Sequence, residues 1–566
     1  MAAETVAQQI VRALKRHKVE CFFGQSLPSA LVLAAEAAGI RQIAYRQENS
    51  GGAMADGFAR VSGKVGIVTA QNGPAATLLV APLAECMKAS VPVIALVQEV
   101  ERPQANRNAF QELDHFALFS AVSKLTRRID DAKRVDDYVD AAFVAAASGR
   151  PGPAVLLLPA DLLREPAVEQ DFARTQSLGH WPLDRQRPAD DAVNAAAKLI
   201  AEAKAPVIYA GGGVLAAGGA EALQALADAA SLPVFTTNMG KGAIAETYPL
   251  ACGAIGALTG PRSLGAEMKP LMDEADVVLL VGTRTNQNGT DSWRLLPKGA
   301  RLIHIDVDPL EIGRNHEALR LVGDARETLA ALREALAKAD LGRRKAARPA
   351  LEKRIAAAWS AFEEKRKVFS ASNGSPVRPE RVMAELQRVL TPETTVVADA
   401  SYSSMWIVGQ LRGGHAGARF LTPRGLAGLG WGVPMAMGVA IARPGRPVVA
   451  VAGDGGFAHN WAEIETMVRM KIPVVTVVLN NGVLGFQKDA ETVKFGAYTS
   501  ACHFAEVDHA AIARACGCDA TRVSEPGDVG PALREALASA KPWLIEVMTD
   551  PDAHPALSQF AGTLDK

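Results

Sequence analysis

The 566-residue chain carries 61 Lys and Arg against 61 Asp and Glu, so no charge excess points to nucleic acid or an anionic membrane surface. With 49% hydrophobic residues it can bury large cores, its length predicts several domains, and no uninterrupted apolar stretch approaches the ~20 residues of a membrane span. Six scattered cysteines, of which Cys516 and Cys518 stand too close for the usual zinc spacing, suit a reducing compartment. The amphipathic N-terminal helix carries charges throughout and lacks the apolar core of a signal peptide, which predicts a cytoplasmic protein.

From the start to about residue 180, helical spacing at 6–15, 27–38, 51–60 and 75–89 alternates with short apolar strands at 21–23, 66–70, 91–97 and 154–158. That alternation predicts a parallel sheet covered on both faces. Glu48 falls where a strand hands over to a helix; read alone, it is equally a carboxylate that caps the helix and is stabilised by its dipole. The loops Gly24-Gln25-Ser26-Leu27-Pro28 and Thr69 to Thr77, the latter containing Gln71-Asn72, each precede a helix. Phe110-Gln111-Glu112 leads to His115, a candidate proton relay or a structural loop histidine.

Polar, proline-containing residues 170–187 predict a linker, and a second α/β block spans 188–340 with strands at 206–210, 234–237, 277–281 and 302–305. Its Gly211, Gly212 and Gly213 follow one strand end, where glycines suit a diphosphate, and Arg284 and Asp306 lie just after or at the ends of others. Residues 340–375 are charged and mostly helical, and their basic cluster Arg343 to Lys345 reads as a solvated face.

The third block, 376–566, contains the most informative stretch, residues 451–487. A short β-branched run at 447–452 predicts a buried strand, Gly453-Asp454-Gly455-Gly456 a sharp turn, 461–470 a helix, and 473–479 a second strand ending in Asn480-Asn481. One βαβ unit thus places a carboxylate and an amide at neighbouring strand tips, where ligands of such sheets bind. Asp and Asn are hard oxygen donors suited to Mg²⁺ completed by phosphate oxygens, and the glycines let backbone N–H groups approach a diphosphate.

This spacing resembles the thiamin diphosphate (ThDP) motif, and the string RQENSGGAMADGFAR around Glu48 resembles RHEQGAGHAAEGYAR of the acetolactate synthase-type enzymes. The resemblance runs along essentially the whole chain and implies three consecutive doubly wound α/β domains: pyrimidine-binding (1–180), central (188–340) and diphosphate-binding (376–566). It implies Mg²⁺ ligands in Asp454, Asn481 and the carbonyl of Val483. It makes Glu48 the acid that hydrogen-bonds the aminopyrimidine, with its pKa raised by an apolar site. Gln25, Gln71, Asn72, Phe110, Gln111 and His115 would line the reacting centre, and Ser401, Tyr402 and Ser403, matching DVGQHQMW, would donate to the diphosphate. Leu429 would be the wedge under a V-shaped cofactor and Ala427 would offer its carbonyl, with Gly453, Gly455, Gly456, Leu484 and Gly485 around the cofactor and Phe486 and Gln487 near the substrate. In the central block the resemblance implies FAD, or ADP or coenzyme A as in relatives acting on oxalyl-CoA, while the departure at 283–289 from the FAD-containing pattern leaves open that it binds nothing.

The implied activity is decarboxylation of a 2-oxo acid with transfer of the acyl-anion equivalent to a second carbonyl, in at least a homodimer and by further pairing a homotetramer. Three features depart from the biosynthetic acetolactate synthases: Gln71-Asn72 where they carry small residues, Ala160 where they carry lysine, and no tryptophan shortly after Gln487. These keep a plain 2-oxo acid decarboxylase or an acyl-CoA lyase as alternatives. A catalytically silent subunit would be expected to have lost Glu48, Asp454 or Asn481, and all three are present.

Overall fold

The computed structural model describes residues 4–168 and 173–564, so 170–172 of the expected linker lie outside it. Its first sheet comprises β1 (Cys21–Phe23), β2 (Arg41–Ile43), β3 (Gly66–Ala70), β4 (Val93–Glu99), β5 (Leu125–Arg128) and β6 (Ala154–Pro159), in the order β2-β1-β3-β4-β6-β5. The second comprises β7 (Pro206–Ala210), β8 (Val234–Thr236), β9 (Ala251–Ala254), β10 (Val277–Val281), β11 (Arg301–Asp306) and β12 (Leu319–Val322), in the order β12-β11-β10-β7-β8-β9. The third comprises β13 (Thr395–Ala398), β14 (Arg419–Leu421), β15 (Val448–Gly453), β16 (Val475–Asn480), β17 (Asp519–Val523) and β18 (Trp543–Met548). Its order, β14-β13-β15-β16-β18-β17, repeats that of the first sheet.

Every ladder is parallel. Strands such as β3 and β10 are therefore covered by helices on both faces and read as unbroken apolar runs, GIVTA and VVLLV, buried at each position. The short strands with charged residues, such as β5 (LTRR), lie at the sheet edges, where one side needs no apolar cover.

The first and third sheets share one apolar core, which runs from Phe23 and Ile43 through Met54 and Phe58 to Met435, Val448 and Ala450. Its centre is the crossing of helix Glu48–Ser62 on helix Gly432–Ala442. The backbones approach so closely that a Cβ on Gly57 would stand 2.1 Å from the Met435 carbonyl oxygen, and one on Gly438 1.9 Å from that of Met54. Only glycine fits either position.

Of the basic cluster expected on a solvated face, Arg343 and Lys345 are exposed and Arg344 is not. Arg344, buried on helix Gly342–Ser370, donates to the carbonyls of Ala230 and Ser231, and Arg343 donates to that of Ala203 at 2.6 Å. Both guanidinium groups satisfy carbonyls left over at helix C-termini, where positive charge is favoured. Charge pattern alone hid this, because the carbonyls come from helices more than a hundred residues away.

Replacing Gly438 with Ala should force the two helices apart and lower the unfolding free energy by about 1–3 kcal/mol, as overpacked cores do. Denaturant unfolding measures it, and an unchanged midpoint would contradict the close crossing.

Candidate active site

In a sheet ordered like the third, the crevice for a ligand opens at the carboxyl ends of β13 and β15, where strand order reverses. A cavity lies there, lined by Ser401, Ser403, Leu429, Asp454, Asn481 and Val483. Tyr402, Gly453, Gly455, Gly456, Leu484 and Gly485 also line it. Asp454 follows β15 directly and begins the helical turn Asp454–Phe457 instead of a sharp loop. Its Oδ2 accepts the Gly482 N–H at 2.8 Å, and desolvation pushes its carboxyl up to about 6. A buried carboxylate with no basic partner has reason to accept a cation.

The two asparagines divide their work. Asn480 donates to Glu546 at 2.7 Å and to the Val507 carbonyl, fixing the end of β16, whereas Asn481 turns to the cavity. Among the described residues no three His, Cys, Asp or Glu side chains gather as a metal cluster. With the Asp399 carboxylate in its lining spent on backbone N–H groups, the cavity offers the Asp454 carboxylate, the Asn481 amide and a backbone turn, a donor set that fits Mg²⁺ sharing its shell with phosphate oxygens and water.

The wedge loop is held by the carboxylate that opens the string matching DVGQHQMW, a residue assigned no part from the motif. Asp399, at the tip of β13 and buried, accepts N–H groups from Gly430 at 3.0 Å, Trp431 at 3.0 Å and Gly432 at 3.2 Å. Desolvation raises its pKa while these bonds oppose the rise. Ser401 takes φ +63°, uncommon for a residue with a Cβ, and begins helix Tyr402–Gln410 on the cavity wall.

Tyr402 departs from its expected part: its hydroxyl donates to Asp489 at 2.6 Å, so it lines the cavity with its ring and has no proton left for a phosphate. Phe486 packs against Tyr402 and Phe560, and Gln487 is exposed and bonded to Glu491, so neither belongs to the cavity lining.

The first sheet gathers a second group of residues at its own carboxyl edge. Glu48 is the first residue of its helix, and desolvation raises its pKa. The N–H groups of Arg46 and Gln47 just before it donate to Glu463, at 3.0 and 3.1 Å, on the helix that follows Asp454. Ser50 donates to Asn460 at 2.7 Å, and Asn460 in turn donates to the Gly430 carbonyl. Glu463 and Asn460 thus join the two groups within one chain, a role that no local pattern announces.

Gln25 donates to the Arg46 carbonyl at 3.1 Å, steadying the same junction. Asn72, buried, donates to the Gln111 carbonyl at 3.0 Å, and Gln111 is held at φ +62°. Gln71 is half-buried, and Phe110 is 85% exposed. His115 is a correction to the proton-relay expectation. It is buried, its Nε2 accepts the Gly73 N–H at 3.0 Å, and that places the ring proton on Nδ1, 3.1 Å from Glu99. Both nitrogens are spent on holding the loop. No residue of the first sheet's group lines the cavity at Asp454.

A larger cavity lies among the three sheets and is lined by Gly211, Gly212, Gly213, Arg284, Asp306, Arg150, Arg419 and Arg424. Gly211 and Gly213 are glycines because each backbone meets Gly282: a Cβ on Gly211 would stand 2.2 Å from the Gly282 carbonyl oxygen. Packing accounts for them without a ligand. Desolvation lowers the pKa of Arg284 and Arg419 and brings Arg424 down to about 10, while it raises Asp306 to about 6.

Three family models match the chain in order. The N-terminal TPP binding domain of thiamine pyrophosphate enzymes matches residues 4–118, their central domain 193–332, and their C-terminal TPP binding domain 399–547. The chain belongs to the thiamine pyrophosphate enzymes. It is 32% identical over 562 residues to a probable acetolactate synthase large subunit of Methanocaldococcus jannaschii, covering 96% of this chain and 92% of that protein. It is 31% identical to a probable acetolactate synthase large subunit of Methanococcus aeolicus, with 97% and 92% covered. To the acetolactate synthase large subunit of Parasynechococcus marenigrum it is 32% identical, with 96% and 87% covered. In this thiamine pyrophosphate enzyme the C-terminal match begins at Asp399, the carboxylate that holds the wedge loop.

Asp399→Asn would leave part of that trio of N–H groups without an acceptor. It should lower the unfolding free energy by about 1–3 kcal/mol and speed amide exchange at residues 430–432. Unaltered exchange there would remove Asp399 as the anchor.

Proposed function

We propose that the protein is a ThDP- and Mg²⁺-dependent enzyme that decarboxylates a small 2-oxo acid and joins the resulting acyl-anion equivalent to a second carbonyl, as its acetolactate synthase relatives are named to do. The observation that carries this reading is the cavity at the switch point of the third sheet. It combines a desolvated carboxylate, a strand-tip amide and a clamped apolar wedge on one wall. Asp454, Asn481 and the Val483 carbonyl would hold Mg²⁺, and Ser401 and Ser403 have hydroxyls to give the diphosphate. Leu429 would shape the cofactor from below, and the Ala427 carbonyl would face its amino group. ThDP, when bound, supplies an acidic ring carbon and a sink for the electron pair that CO₂ leaves behind.

Glu48 supplies a carboxyl that burial makes readier to keep its proton near neutrality, as a proton-sharing group requires. Because the cavity at Asp454 takes nothing from the first sheet, Glu48 would come from a second copy of the chain, and the exposed Phe110 beside Gln111 would be covered there. The active unit is then at least a homodimer, with a homotetramer as its further pairing. Residues 1–180 would serve the aminopyrimidine end, 188–340 a nucleotide, and 376–566 the diphosphate and metal.

In the central cavity, Arg419 and Arg424 are desolvated and, among the described residues, have no carboxylate hydrogen-bonded to them, which supports a nucleotide carrying a diphosphate; FAD is our reading, in a structural capacity. Asp306, at the tip of β11, would then meet a ribose hydroxyl. The departures at Gln71 and Ala160 keep a plain 2-oxo acid decarboxylase as the second reading. The six cysteines are unpaired thiols, which supports a reducing, cytoplasmic setting. No helix among the described residues is long and apolar enough to cross a membrane.

ThDP with Mg²⁺ should raise the melting temperature, and a chelator or Asp454→Asn should abolish the rise; a sample indifferent to both ligands would overturn the assignment. Pyruvate-dependent CO₂ release, followed with and without acceptor oxo acids and aldehydes, separates carboligase from decarboxylase. Glu48→Gln should keep ThDP binding and lose at least ~100-fold in turnover, as removal of an acid–base group does. Full turnover in that variant would take Glu48 out of the mechanism.

A further inference from the structure

The loop that carries Ala427 and Leu429 is gripped at its other end by a second carboxylate, from the first sheet's side of the molecule. Glu85, buried on helix Val80–Ala89, accepts the Gly425 N–H at 2.7 Å through Oε1. Its Oε2 accepts those of Leu426 at 2.5 Å and Ala427 at 3.2 Å. Three consecutive N–H groups converging on one anion form a nest, and only a carboxylate offers acceptor sites enough for all three. Ala427 is thereby held at φ +61°, a left-handed conformation that a residue with a Cβ adopts at a cost.

Arg60 backs the clamp. Its Nη2 lies 3.6 Å from Glu85 Oε1, its Nη1 donates to the Thr422 carbonyl at 3.1 Å, and Asp56 pairs with it on the helix that begins with Glu48. With Asp399 holding residues 430–432, the two carboxylates leave only the Gly428 and Leu429 N–H groups of the segment 425–432 without an acceptor among the described residues. The Ala427 carbonyl likewise receives no donor there.

We infer that Glu85 is a positioning residue: it sets the Ala427 carbonyl and the Leu429 N–H toward the cofactor's aminopyrimidine. The inference rests on the ThDP reading above. A tether that merely joined two domains would serve with any strong contact, whereas here each of the three N–H groups leading into the wedge is engaged. Glu85→Gln keeps the volume, loses half of the acceptor sites, too few for all three N–H groups, and turns an amide N–H against the nest.

The experiment compares the full-length protein with Glu85→Gln and Glu85→Asp. Amide exchange at residues 425–427 is read without cofactor, and ThDP affinity and the exchange of its C2 proton are read by acid-quench NMR. In Glu85→Gln, amide exchange should speed up and C2-proton exchange should slow by about 10-fold or more, as small misplacements at reacting groups do, with ThDP affinity much less changed. Glu85→Asp should recover part of both. Unchanged amide exchange would remove the clamp; faster amide exchange with C2 exchange unaltered, or with affinity and C2 exchange falling together, would reduce Glu85 to a structural tie. Should the Gln variant fail to fold, the Asp variant decides by the same readouts. An unsubstituted protein that takes up no ThDP would sink the functional reading instead.

Discussion

The contact between helices Glu48–Ser62 and Gly432–Ala442 sets the geometry of everything around it. At Gly57 and Gly438 two backbones meet with no side chain between them. One helix begins with Glu48 and the other begins directly after the loop 425–431, so their closeness fixes where that carboxyl stands relative to the loop. The apolar core spreading outward from the crossing, from Phe23 to Ala450, turns two sheets of identical strand order into one body. Such packing has little room to yield, because each neighbour is itself fully surrounded.

Around this apolar centre, buried carboxylates act mainly as acceptors for backbone N–H groups. Glu463 takes those of Arg46 and Gln47, Asp399 those of residues 430–432, and Glu85 those of residues 425–427. A loop that must present backbone atoms to a ligand cannot satisfy its remaining N–H groups in a sheet ladder, and a desolvated N–H without a partner is costly. Asp454 differs from all three. It accepts from the Gly482 and Asn481 backbone outside its own turn and also lines a cavity, as a carboxylate kept for a metal would.

Elements that depend on neighbours in sequence were readable in advance. The buried strands β15 and β16, the helix between them, and the placement of Asp454 and Asn481 at strand tips follow from a short β-branched run, a glycine turn and helical spacing. Edge strands β5 and β17 escaped because one unpaired side relaxes the apolar pattern that marks a strand. His115 and Tyr402 were legible as polar residues beside the site, but their commitments, to Gly73 with Glu99 and to Asp489, depend on partners brought in by the fold.

The amino-acid sequence by itself determined three parallel α/β layers and the residue types at their strand tips, since period, length and turn chemistry are local properties. Only the tertiary structure decided which polar side chains are spent on holding the chain and which are left for a ligand. That division is made by desolvation and by hydrogen bonds between segments hundreds of residues apart, such as Glu85 with Gly425, and no pattern along the chain encodes such a meeting.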